Sequence, residues 1–149
     1  MSHSNYETRV DCDKRLDVMI AALNASRDGF AIWQVVRGDN SEVKTFVLDF
    51  INVAGAAATG KLPAELQGRT IEDVLGGDQY IGLSALFRRA VETHEHQLEV
   101  VEVDSETGWI GAYENTVIPV GDDMVVAGFR DISQERREQN RLSWLAEHD

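Results

Sequence analysis

Two blocks of strand-type sequence, residues 30–51 and 97–132, flank a middle segment whose apolar residues recur at helical spacing. Strands that come in separate blocks around helices point to an antiparallel sheet in an α+β domain, not to alternating βα units with a parallel sheet. In the first block Phe30–Val36 and Thr45–Ile51 are rich in β-branched and aromatic residues, and Arg37-Gly-Asp-Asn-Ser between them is turn chemistry, so a β-hairpin is predicted. In the second block three strands are predicted, at about Gln97–Val103, Trp109–Val120 and Met124–Ile132, with turns at Ser105–Gly108 and Gly121–Asp123.

The remaining elements follow from capping and spacing. Leu16, Met19, Ile20 and Leu23 share one face of an N-terminal helix expected to end between Asn24 and Gly29. That face needs an apolar partner, either the rest of the chain or a second copy. Asn52 precedes a run of small residues ending at Gly60, which predicts a capped short helix packed close to its neighbours. Pro63 suits the first position of another short helix, and Thr70 can cap a turn through Leu75. After Gly76-Gly77, Asp78 is the expected cap of a longer helix through about Glu95, with Tyr80, Leu83, Phe87, Ala90, Val91 and His94 on one face. The polar tail from Ser133 favours helix.

Composition narrows the function. Fourteen basic against 26 acidic residues give a net charge of −12, a field that repels phosphate backbones and anionic lipid. Nucleic acid and membrane are therefore not expected as partners. Cys12 is the single cysteine and no signal peptide is recognisable, which fits a cytoplasmic protein. Neither a nucleophile–base arrangement nor a Gly-x-Ser-x-Gly or phosphate-binding loop is present, so no catalytic residue is assigned. His94-Glu-His96 lacks metal-ligand spacing and reads as a solvated loop, so no metal is assigned.

Five stretches carry a resemblance to a known family. Asp28-Gly-Phe-Ala-Ile-Trp33, Phe50-Ile-Asn-Val-Ala-Gly55, Glu65–Asp73, Tyr113–Pro119 and Gly128-Phe-Arg-Asp-Ile-Ser133 resemble, in order and spacing, the segments of a PAS (Per-Arnt-Sim) sensory domain. The resemblance implies a five-stranded antiparallel sheet of order 2-1-5-4-3, helices over one face, an N-terminal cap helix on the other, and a C-terminal signalling helix. The expected division is a lead-in and cap helix over 1–26, a PAS domain over 27–132 and a linker helix over 133–149. Leu142–Asp149 is similar to the junction into a GGDEF diguanylate cyclase domain, which implies an output domain beyond this chain and cyclic di-GMP signalling.

PAS relatives differ in cargo, so the cofactor is left open. Covalent flavin is disfavoured because Cys12 lies before the cap helix, and haem because His94 falls later than haem-binding relatives place their ligand. Phe30, Ile32, Phe50, Phe87, Tyr113, Asn115 and Phe129 are the expected walls of a pocket for a small-molecule ligand, or simply core. Asn115 either faces that pocket, where it needs a hydrogen-bond partner, or lies on the dimer-facing side. Asp131 and Ser133 are the expected transmission residues, Ser133 as helix cap and Asp131 as the residue that in relatives fixes the strand–helix join. A homodimer through Leu16, Met19, Ile20 and Leu23, with Leu142 and Leu145, completes the expectation of a ligand-responsive module. A ligand-free dimerisation spacer, or a small α+β enzyme or carrier, are the alternative readings.

Overall fold

The structure, a computed structural model, describes residues 2–75, 81–106 and 108–148. The chain runs α1 (Ser2–Ala25), β1 (Gly29–Arg37), β2 (Val43–Ile51), α2 (Val53–Thr59), α3 (Pro63–Leu66), α4 (Ile71–Val74), α5 (Ile81–Thr93), β3 (Gln97–Ser105), β4 (Gly108–Val120), β5 (Met124–Asp131) and α6 (Ser133–His148). All five strands pair antiparallel in one sheet of order β2-β1-β5-β4-β3. This is the topology that the resemblance implies. The expected cap Asp78 and the helix residue Tyr80 lie outside the described residues.

Burial on one sheet face builds the core. Trp33, Phe46, Leu48, Val117 and Val125 from the strands meet Leu86, Phe87, Ala90 and Val91 of α5 and Ala56, Leu66 and Ile71 of the short helices. Phe87 stands edge-on to both Trp33 and Phe46, with ring centroids 5.7 and 5.2 Å away. Edge-to-face rings are a favoured aromatic geometry. Arg88, next to it, turns off the apolar face and donates from its guanidinium to the carbonyls of Val43 and Lys44, 2.6 and 2.9 Å away, locking α5 to the start of β2.

Asn52 is the main polar node of the fold. Fully buried, its Oδ1 accepts from the N–H groups of Phe30 (2.8 Å) and Gly55 (2.9 Å), and its Nδ2 donates to the carbonyls of Leu23 (2.6 Å) and Asp28 (2.9 Å). The expected cap of α2 thus also ties down the end of α1 and the start of β1. Gly29 and Gly55 make this possible, since a Cβ on Gly29 would sit 2.9 Å from the Gly55 Cα. Strand and helix approach here at backbone distance.

The N-terminal helix ends at Ala25, within the expected interval. It is anchored at its end by Asn52 and by Asn24, whose Oδ1 accepts from the Val53 N–H at 3.2 Å. Leu16 and Met19 are nevertheless 56% and 64% exposed, and Ile20 and Leu23 are half-buried, so this face is not sealed against the sheet. No helix among the described residues is long and apolar enough to cross a membrane.

Candidate functional site

Between the sheet and α2, α4 and α5 lies a cavity of about 630 Å³, open on one side. Such a volume lies in the range of small-molecule sites. Its floor is apolar: Ala31, Trp33, Ile51, Val74, Leu83 and Phe87. The side chains of its sheet wall come mainly from alternate residues of three adjacent strands, β3, β4 and β5. Register places Glu99 opposite Asn115, and Asn115 opposite Phe129, in one row, with Val101, Tyr113 and Asp131 in the next. Tyr113 and Phe129 stack, with centroids 5.2 Å apart and planes 17° from parallel.

Of the expected pocket residues, Phe87, Tyr113, Asn115 and Phe129 line this cavity. Phe30 borders it too, but its ring lies over Gly128, 3.6 Å from where a Cβ would be, and it also lines a shallow groove on the opposite face. Ile32 and Phe50 are not on the wall; they pair with each other across β1 and β2. A bulge explains the placement of Phe50. Strict alternation from Phe46 and Leu48 would put Phe50 inward, but the register shifts between Ile32 and Trp33, leaving Asp49 unpaired and turning Ile51 inward instead. Ile51 takes the lining position. Trp33, Leu83, Glu99 and Asp131 also line the cavity. Period-2 alternation from Tyr113 and Asn115 across the neighbouring strands is the signal that could have identified Glu99 and Asp131.

His94 is remote from that wall. It follows the last residue of α5 with a positive φ of 57°, and its Nε2 is 3.6 Å from Asp122 Oδ1 at an exposed edge. Among the described residues no group of three or more His, Cys, Asp or Glu is arranged to hold a metal ion.

Where the sheet hands over to α6, Asp131 sits at the strand–helix join as expected, whereas Ser133 is not the cap. The Asp131 carboxylate, not the Ser133 hydroxyl, meets the first-turn donor: Oδ1 accepts from the Ser133 N–H at 2.9 Å. Ser133 Oγ instead turns back to β4, accepting from the Ala112 N–H at 3.0 Å and donating to the Ala112 carbonyl at 3.3 Å. The Ile132 N–H donates to the same carbonyl at 3.0 Å. The reason is that Gly111 leaves no side chain in the way; a Cβ there would lie 2.6 Å from Ser133 Oγ and 3.5 Å from the Tyr113 hydroxyl. Arg136, one turn along α6, has its Nε 3.4 Å from Glu102 Oε1 on β3. The start of α6 is therefore clipped to β4, and Asp131 belongs at once to the clip and to the cavity wall.

The family described as PAS fold matches residues 44–137 of the chain. No curated protein matches it. Among solved structures, the PAS domain of BvgS from Bordetella pertussis is similar with a TM-score of 0.55 and 15% identity, over 91% of this chain and 98% of that one. A domain of an HTR-like protein from Haloarcula marismortui has a TM-score of 0.53 and 22% identity, over 72% and 99%. A domain of a sensory box sensor histidine kinase/response regulator from Geobacter sulfurreducens has a TM-score of 0.54 and 16% identity, over 78% and 94%. Those structures share the fold, and the family match covers more than half of the sequence. The chain belongs to the PAS fold family.

Proposed function

We propose that the chain is a cytoplasmic sensory module in which occupancy of the cavity is passed through Asp131 to α6, and from there to an output domain beyond it. One observation carries this reading. Asp131 lines the cavity and also accepts the hydrogen bond that starts the exit helix, so a guest that draws on its carboxylate perturbs the helix start directly. The output domain is a diguanylate cyclase, a reading that rests on the likeness of Leu142–Asp149 to a GGDEF junction. The module works as a homodimer through Leu16, Met19, Ile20 and Leu23 on α1, together with Leu142 and Leu145, which are 56% and 47% exposed on α6. A sensory role also accords with the similar domain from a sensor histidine kinase/response regulator.

The test is Asp131→Ala in the full-length protein. Output is expected to lose its response while the domain keeps its fold by circular dichroism; a normally responding variant removes the reading. A ligand-free spacer is supported by the exposed apolar stripes on α1 and α6, and it predicts that no small molecule alters output.

A further inference from the structure

Chemistry at the mouth and floor of the cavity narrows the guest. We infer that the cavity takes a small organic cation, an amine on an apolar or aromatic body, and rejects anions of the same size; this rests on the ligand-sensing reading above. Glu99 and Asp131, both exposed to solvent at the mouth, contribute carboxylates to the lining, and no Lys, Arg or His is among the described lining residues. The stacked pair of Tyr113 and Phe129 spans the two rows that bear these carboxylates, Phe129 in the row of Glu99 and Tyr113 in the row of Asp131. Aromatic faces attract a cation through their quadrupole, and an acidic rim raises its local concentration. An anion meets charge of its own sign at each of these points, in a chain whose net charge is −12.

The floor adds a second requirement. Trp33 is 2% exposed and forms part of the wall, and its indole N–H, without a hydrogen-bond partner among the described residues, is shielded from the open space. The floor therefore meets a guest through apolar and aromatic surface, which suits the body of the molecule and not its charged end. Asn115, half-buried in the middle of the wall, can supply both a donor and an acceptor. The guest is therefore charged at one end and carries a hydrogen-bonding group, such as an amide, that Asn115 can meet.

Three matched probes test this with the chain as it stands: 4-(aminomethyl)benzamide as cation, 4-carbamoylbenzoate as anion and 4-methylbenzamide as neutral control. Binding is followed by two-dimensional nitrogen–proton NMR, in which the indole signal of Trp33 reports the floor and the Asn115 and Phe129 amides report the wall. The cation is expected to shift all three signals and to bind at least about tenfold more tightly than the anion, because two partly screened carboxylates attract the one and repel the other. In the variant carrying Glu99→Gln and Asp131→Asn, which keeps shape and removes both charges, that preference is expected to shrink to about twofold or less. Anion or neutral probe binding at these residues as tightly as the cation overturns the cation assignment and leaves the sensory reading intact. Cation shifts confined to acidic residues away from Trp33 overturn the assignment as well. If no probe moves any of the three signals, the ligand-sensing reading falls together with it.

Discussion

Asn52 does with one amide what a chain of this topology must do three times: start α2, hold β1 and stop α1. Asn52→Ala removes a helix cap, worth about 1 kcal/mol, and strands further backbone groups with little access to water, each costing about 1–3 kcal/mol. A net loss of about 2–4 kcal/mol is expected in urea denaturation, with an Asp substitution recovering part because it restores the acceptor but not the donor. A second residue pair makes a pH prediction. Thr45 Oγ1 donates to Glu72 Oε2 at 2.6 Å, and this hydrogen bond, ahead of the opposing effect of burial, holds the Glu72 carboxyl below its ordinary value. A depressed folded-state pKa contributes stability that is present above the unfolded value and is lost as pH falls through the folded one. Because the side chain is largely solvated the contribution is small. Thr45→Val should raise the Glu72 pKa in an NMR titration; an unchanged midpoint would show that the hydroxyl is not the cause.

At the scale of elements, the legible parts of the fold were those with strong local signals. Strand existence followed from β-branched runs and turn residues, and β2 and β4 end at Ile51 and Val120 as alternation and turn chemistry indicate. The cap residues Asn52 and Thr70 likewise accept the hydrogen bonds their positions imply, from Gly55 and Asp73. What stayed illegible depends on partners distant in sequence. The bulge at Asp49 reverses the inward set of β2 without altering its composition, so Phe50 looked like pocket wall while Ile51 occupies that place. Ser133 looked like a cap because a hydroxyl before a helix usually is one, but the gap above Gly111 gives it a better partner in Ala112. That gap predicts its own disruption. In Gly111→Ala the new methyl must displace Ser133 Oγ, so the Ala112 amide should exchange with solvent faster and α6 should loosen at its start, measured by hydrogen exchange. Unchanged protection at Ala112 would mean that the clip does not depend on this close approach.

Across the whole molecule, two halves with different duties share one sheet. The β1–β2 side, sealed by Trp33, Phe46 and Phe87, carries most of the large buried side chains. The β4–β5 side pairs a cavity wall with the attachment of α6, and it holds fewer large apolar groups and more polar ones. Elements that respond to ligands are drawn from the less stable part of a structure, and under the proposed function this division places response and rigidity on opposite edges of β1. Asp131 is the residue at which cavity and exit helix meet. Native-state hydrogen exchange of the Asp131→Ala chain tests that join most directly. The Ser133 and Arg136 amides should lose protection by about fivefold, the equivalent of one cap, while amides in the β1–β2 ladder keep theirs. Protection at Ser133 and Arg136 equal to that of the parent chain would contradict this coupling.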